Sequence, residues 1–288
     1  MTEAKVVLEP GTLLNKVKKQ TNYALKCGAL HSLPTEYELI EQDGITFLVR
    51  ILLNLVRKDK EKQKPRSKEN FNPFLPYEED LFVADISDTH LCLLNKFNVV
   101  DHHILMVTRE FESQDSLLNQ QDFAAMEVCL REMDGLAFYN GGQVAGASQG
   151  HKHLQLVPFP LIAQEEKINF PLEKAIASVQ WQDGVGRIPA FIFPHIMGKI
   201  DFPTSPQIIW QCYHHLLKIL GLNNQKQPLA YNLLATRQWL LIVPRSQESF
   251  RSISINSLGF AGSFFVRNQQ QKQILLEHGL LKVLGEVV

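Results

Sequence analysis

The chain has few cysteines, and Cys27, Cys92, Cys129 and Cys212 lie far apart in its 288 residues. Disulfide frameworks and zinc knuckles use closer spacings, so neither is supported. Each cysteine is expected to be a small buried apolar residue, and a reducing, cytoplasmic setting is the expectation. No apolar run reaches the ~18 residues of a membrane span. The opening Met-Thr-Glu-Ala-Lys lacks the apolar stretch of a signal peptide. Charge of one sign is missing too. A formal net charge of −1 gives no global bias toward nucleic acid or an anionic membrane. Any polyanion site must be local. There is no internal repeat and no low-complexity tract. What remains is 45% hydrophobic and 20% charged, enough for one large domain or two smaller ones with ample core.

Residues 11 to 28 read as a helix. The apolar stretch Ile45 to Arg57 runs into a polar segment, 59 to 70, carrying Lys60, Lys62, Lys64, Arg66 and Lys68. This segment is expected to be a mobile, solvated loop. Lys58 at its edge is the better candidate for a phosphate contact. His90 to Leu94 and His103 to Thr108 read as short strands joined through Asn95-Lys96-Phe97 at a sheet edge. A helix is expected from Asn119 to Gly135, capped by Asn119, with Phe123, Met126, Leu130 and Met133 on one face. A strand from Leu136 to Tyr139 follows, then a turn at Asn140-Gly141-Gly142. Ser205 to Leu220 reads as a helix with Ser205 as cap and Pro206 at its first position. Ile208, Cys212, Leu216 and Ile219 are read as its buried face. Tyr231 to Ala235 and Trp239 to Val243 pair as strands, and a helical tail begins near Asn268.

The chemistry concentrates between Asn140 and Pro158. Gly141, Gly142, Gly146, Ala147 and Ser148 form a loop of small residues whose amides could make a nest for anions. The strand after it alternates, so His151, His153 and Gln155 share one face while Leu154 and Leu156 point into a core. Two aligned histidines admit three readings. A zinc site would need a third ligand, and no nearby Cys, Asp or Glu supplies one. A structural role would tie both rings to backbone groups. Covalent catalysis at phosphorus uses neutral imidazole, a good nucleophile near pH 7 that needs no separate base. The adjacent His102-His103 pair points to opposite sides of a strand and cannot share a metal; one of the two is expected to be satisfied locally. His214-His215 reads as a polar helix flank. Arg237 and Arg245 read as surface arginines before phosphate ligands.

His151-Lys152-His153-Leu154-Gln155 resembles the histidine-triad superfamily motif, in the His-x-His-x-Gln form of its transferase branch; the hydrolase branch has histidine at the third place. The fuller pattern resembles the diadenosine tetraphosphate phosphorylase (ATP adenylyltransferase) family. The blocks that carry it are Leu93 to Phe97, Phe138 to Gly141, Gly146 to Gln149 with His151 to Gln155, and Ile255 to Gly259. Tyr231 to Leu233 with Trp239 and Val243 to Ser246 add a fifth. Residues before Lys58 match weakly.

The resemblance implies that His153 attacks the α-phosphorus and becomes adenylylated, that Gln155 holds a phosphate oxygen, and that His151 supports the loop. Asn140, Gly146, Ala147, Ser148 and Gln149 would contact phosphates, and Asn95 and Lys96 the nucleoside. Lys58, Asn256, Ser257, Leu258 and Arg267 match positions near the second nucleotide or the phosphate tail. Ser263 stands where the fungal enzymes carry methionine, and Arg267 where they carry lysine. The implied substrates are diadenosine tetraphosphate, ATP, ADP and inorganic phosphate. The implied cofactor is none held tightly, with a divalent cation such as magnesium arriving on the substrate phosphates. Nucleic acid and membrane are not expected partners, and a monomer is the default. The expected fold is α+β, a histidine-triad-like antiparallel sheet with helices packed on one face, elaborated by N- and C-terminal extensions. Residues 1–165 would be the N-terminal catalytic region, and 166–288 the C-terminal region completing the nucleotide site. Another histidine-triad nucleotidyl transferase, a dinucleoside polyphosphate hydrolase and a non-catalytic dinucleotide sensor stay open as alternatives.

Overall fold

The computed structural model describes residues 5–52, 74–162, 168–223 and 229–288; Lys58 and the basic segment 59–70 lie outside the described residues. The first half comprises helix α1 (Leu13–Cys27), strands β1 (Thr35–Gln42), β2 (Ile45–Leu52), β3 (Phe82–Asp85), β4 (His90–Leu94) and β5 (Ile104–Thr108), helix α2 (Gln120–Glu132), and strands β6 (Gly135–Gly141) and β7 (His153–Pro158). The second half has helix α3 (Glu173–Ala177), strands β8 (Val185–Gly186) and β9 (Ile196–Lys199), and helix α4 (Pro206–Ile219). Strands β10 (Tyr231–Ala235), β11 (Trp239–Pro244), β12 (Ser249–Phe250), β13 (Ile253–Ser254) and β14 (Ser263–Val266) follow, then helices α5 (Gln269–His278) and α6 (Leu280–Glu286).

Nine strands make one antiparallel sheet in the order β3-β4-β5-β7-β6-β10-β11-β9-β8. Asn140 on β6 lies opposite Asn232 on β10, so strands from both sides of residue 165 share it. A second sheet has the order β1-β2-β14, with β14 parallel to β2. Strand alternation splits the large sheet's side chains between two faces. On one face Leu154, Leu156, Met106, Tyr139 and Leu233 pack under α1, α2 and α4 through Val17, Phe123, Leu130 and Tyr213. The other face carries two separate apolar clusters. Leu91, Leu93, Leu105 and Val107 lie under Phe74, Tyr77 and Phe82. Phe138, Val157, Leu234 and Val243 lie under the small sheet and C-terminal helices through Val49, Phe264, Leu275 and Leu284. The polar side chains of β7 fall between these two clusters.

The helix caps form as their sequences require. Asn119 accepts from the amides of Gln121 (2.8 Å) and Asp122 (3.1 Å), while Asp122 accepts from the Asn119 amide (2.7 Å), closing a capping box. Ser205 accepts from the Ile208 amide, with Pro206 in the first turn. The buried face of α4 is rotated from the expected one. Ile209, Tyr213, Leu216 and Leu217 are buried, whereas Ile208 and Ile219 are 54% and 43% exposed. The phenol of Tyr213 bonds the Tyr231 hydroxyl at 2.6 Å and accepts from the Leu118 amide at 3.2 Å. Its polar end is therefore satisfied, and the ring centres the buried face. Cys92 and Cys129 are buried, Cys212 is half-buried and Cys27 is exposed on the last turn of α1, contrary to the expected burial. Among the described residues no helix is long and apolar enough to cross a membrane.

Candidate active site

The site begins where β7 leaves its neighbours. Val107 lies opposite His153 and Leu105 opposite Gln155 on one flank, and Phe138 lies opposite Gln155 on the other. His153 is only 4% exposed. Its Nδ1–H donates to the His151 carbonyl at 2.9 Å, so the lone pair is on Nε2. Burial pushes the His153 pKa down to about 4; the bond to His151 opposes this, and the charge of His151 adds to it. The Phe74 ring lies 5.0 Å from the His153 ring. The imidazole is thus neutral, desolvated and held in one tautomer.

His151 is fully buried and donates from Nε2 to the Thr108 carbonyl at 2.8 Å. Its Nδ1 is buried without a hydrogen-bond partner. Burial lowers the pKa of this ring as well, against the Thr108 bond.

Gln155 is oriented by a relay that begins at Asn95. The Asn95 Nδ2 donates to His103 Nδ1 at 3.1 Å, so His103 carries its proton on Nε2 and donates to Gln155 Oε1 at 3.0 Å. The amide oxygen of Gln155 is taken by His103, which fixes the amide with oxygen and NH2 assigned and leaves the NH2 as its donor end. Lys96, read alongside Asn95, pairs with Glu78 at 2.7 Å.

The small-residue loop closes on itself. Asn140 and Gly141 remain in β6, and the turn starts only at Gly142, with φ +90°. The Gly146 and Ala147 amides bond the carbonyls of Gln143 (2.9 Å) and Gly142 (3.1 Å). They do not face outward as the expected nest requires. Gly146 has φ +89°, and a Cβ there would stand 2.8 Å from the Ile255 carbonyl oxygen. At this position glycine is required by the approach of another protein segment. Ser148, Gln149 and Gly150 are exposed.

Asn140 and Ser257 meet in a buried knot behind the loop. Asn140 Oδ1 accepts from the Ser257 amide (3.0 Å), the Ser257 hydroxyl (2.7 Å) and Asn232 Nδ2 (2.9 Å). Asn232 also donates to the Ala145 carbonyl at 2.8 Å. Asn256 caps the next turn by accepting from the Leu258 amide at 3.0 Å, and Leu258 is buried. Ser263 and Arg267 lie elsewhere on the C-terminal segment. Ser263 begins β14 opposite Leu48 and is buried; Arg267 follows β14, and its amide donates to Gln271 at 2.8 Å.

Comparison with known proteins follows the same layout. The model of the Ap4A phosphorylase N-terminal domain, Ap4A being diadenosine tetraphosphate, matches residues 3–178, and that of the ATP adenylyltransferase C-terminal domain matches residues 189–288. The chain belongs to the Ap4A phosphorylase family. Protein APA1 of Saccharomyces cerevisiae is 26% identical over 290 residues, spanning 91% of this chain and 88% of that protein. Diadenosine tetraphosphate phosphorylase 2 of the same yeast is 28% identical over 237 residues, 72% of each chain. The crystal structure of yeast Ap4A phosphorylase Apa2 in complex with AMP has a TM-score of 0.81 at 25% identity, covering 97% of this chain and 98% of that one. The enzyme class, nucleotidyl transfer, comes with the family.

Four residues of this Ap4A phosphorylase family member escaped the sequence reading. His103 carries no role in the sequence pattern yet bonds Gln155, while its neighbour His102 bonds Thr21 at 3.2 Å from a positive φ. Arg245, expected at the surface, is buried. Its Nη1 donates to Asn232 Oδ1 (2.6 Å) and the Ile255 carbonyl (2.9 Å), and its Nε to the Val287 carbonyl (3.0 Å). Asn232 lay in a matching block without an assigned role. Gln114 left no motif at all, although the His153 amide donates to its Oε1 at 2.8 Å. Arg237 holds the end of α2 through the Leu130 carbonyl at 2.8 Å.

Proposed function

We propose that the protein splits diadenosine tetraphosphate with inorganic phosphate into ATP and ADP, and runs the reverse, through an AMP group carried on His153. The observation that carries the reading is the state of this imidazole: neutral, desolvated, with Nδ1–H engaged by the His151 carbonyl and the lone pair on Nε2.

In the first half-reaction the Nε2 lone pair forms a bond to the α-phosphorus. The bond to the bridging oxygen breaks, and ATP leaves with that electron pair. The ring becomes cationic as the bond forms, which strengthens its Nδ1–H bond to the His151 carbonyl. The NH2 of Gln155, set by His103, donates to a phosphate oxygen in the transition state, where positioned donors supply most phosphoryl-transfer catalysis. In the second half-reaction an oxygen of inorganic phosphate attacks the same phosphorus. The N–P bond breaks, its electron pair returns to Nε2, and ADP leaves. A divalent cation, magnesium in the simplest case, comes with the substrate phosphates. The setting proposed is the cytoplasm.

Labelled diadenosine tetraphosphate, with and without phosphate, tests the reading. Phosphate-dependent release of ATP plus ADP and an acid-labile AMP adduct on the peptide bearing His153 are expected. An adduct that persists in His153→Ala sinks it. Cleavage that needs only water would point to a hydrolase, and binding without turnover to a sensor.

A further inference from the structure

Strands β6 and β7 pair from Gly135↔Pro158 to Phe138↔Gln155 and then part. Continued in register, the next hydrogen-bonded level would set Asn140 against His153. A side-chain amide occupies that level instead. Gln114 Oε1 accepts from the His153 amide at 2.8 Å, and Gln114 Nε2 donates to the Asn140 carbonyl at 2.9 Å, with a longer contact to the His153 carbonyl at 3.3 Å. The glutamine amide does what one peptide of an intervening strand would do. It accepts on one side and donates on the other.

The wedge is itself fixed. Gln114 is 2% exposed. Its amide donates to the Gly150 carbonyl at 2.9 Å, and its carbonyl accepts from the Tyr139 hydroxyl at 2.6 Å. Next to it Ser113 bridges His151, and the Lys152 amide donates to the Glu112 carbonyl at 2.7 Å. The 112–114 segment thus fills the fork between β6 and the chain entering β7, with Gln114 at its vertex.

We propose that Gln114 is a positioning residue for the nucleophile: its amide holds the strands apart at His153 and fixes the backbone from which that imidazole projects. An inserted amide parts the strands by about one further strand spacing, on the order of 5 Å. A ladder closed at this level would bring the Asn140 backbone against His153. The glycine-bearing loop that follows Asn140 would move with it. Gln114 touches the His153 backbone and no reacting atom, so its effect is on geometry. This inference rests on the reading of His153 as the nucleophile.

The test compares wild type with Gln114→Met, which keeps the length and removes both bonds, and Gln114→Glu, which keeps the acceptor for the His153 amide and loses the donor to Asn140. Single-turnover formation of the AMP adduct, steady-state KM and kcat, and Tm are measured on each. Misplacement of a reacting group by about 1 Å costs on the order of 100-fold. Adduct formation in Gln114→Met is therefore expected to slow by about that factor, with KM for diadenosine tetraphosphate within about threefold and Tm a few degrees lower. Gln114→Glu is expected to fall between the two. Rates within about threefold of wild type in either folded variant overturn the proposal. So does a loss that appears in KM alone, or a failure of both variants to fold, which would assign Gln114 to the fold. If wild type forms no adduct, the nucleophile reading has failed; if wild type forms it and the variants match its rate, only the role of Gln114 has.

Discussion

Replacing His153 should flatten the acid side of the protein's stability curve. Burial holds the His153 pKa at about 4 against an ordinary 6.5. At about 1.36 kcal/mol per pH unit, the full gap is worth about 3 kcal/mol. The folded state binds this proton less readily than the unfolded chain does. The contribution is therefore complete above pH 6.5 and is lost as pH falls toward 4. Between pH 7 and pH 5 the linkage relation gives a loss of about 2 kcal/mol from this one ring. With 288 residues and an unfolding entropy of about 2.1 cal/mol/K per residue, that is about 3 °C in Tm. His153→Asn keeps an N–H donor for the His151 carbonyl and removes the titrating group. Urea or thermal unfolding of both proteins at half-unit steps from pH 7.5 to 4.5 gives the difference directly. His195 and Asp122 also have lowered pKa values, but they remain in both proteins and drop out. Curves that stay parallel from pH 7 to 5 would refute the claim that the ring is desolvated and neutral.

Three further substitutions probe the parts around it. His103→Phe keeps the ring but removes the link from Asn95 to Gln155, and about 1 kcal/mol of lost orientation predicts a drop of roughly fivefold in kcat/KM; steady-state kinetics equal to wild type would show the relay is idle. Arg245→Lys cannot reproduce a planar fork that reaches Asn232 and the Ile255 and Val287 carbonyls, so a loss of about 3 kcal/mol is expected in urea unfolding, and an unchanged midpoint would contradict it. Gly146→Ala puts a methyl 2.8 Å from the Ile255 carbonyl oxygen at φ +89°; a cost on the order of 2 kcal/mol is expected, together with reduced phosphorolysis, and a variant of wild-type stability would mean the loop is free to move.

Local pattern carried the front of the site into view. Alternation alone puts His151, His153 and Gln155 on one side and Leu154 and Leu156 on the other, and the caps at Asn119 and Ser205 are written in residue types that bond their own backbone. Register was not legible. Nothing local says that Leu105 faces Gln155, so nothing local says that His103, two residues earlier on the same face, bonds it. Burial of polar groups was misread for the same reason. Arg245 looks like a surface residue until the partners that satisfy it arrive from ten or more residues away. Gln114 is the extreme case, because its role exists only where two strands separated in sequence begin to diverge. The glycines of the loop were read as room for a ligand; Gly146 is instead room for the 255–256 backbone.

The middle residue of the motif completes the physical case. Lys152 alternates to the opposite side from His153 and is 1% exposed. It reaches Glu112 at 2.5 Å and Asp122 at 3.1 Å, and Asp122 in turn meets His90 at 3.1 Å. Burial alone would raise the Asp122 pKa; the His90 bond and the Lys152 charge overcome it and hold the carboxyl ionised. The lysine charge is thus neutralised behind the sheet, by the residue that also caps α2. Unpaired beside His153, the same charge would attract phosphate and make the Nε2 lone pair less available. Paired with Asp122 and Glu112, it anchors the start of β7 to the helical layer. In the proposed reaction the face that would meet phosphorus is left to neutral dipoles: the Gln155 amide, the His151 carbonyl and the imidazole itself. Such groups need little reorganisation when charge develops, and that is the condition under which they stabilise a transition state more than a ground state.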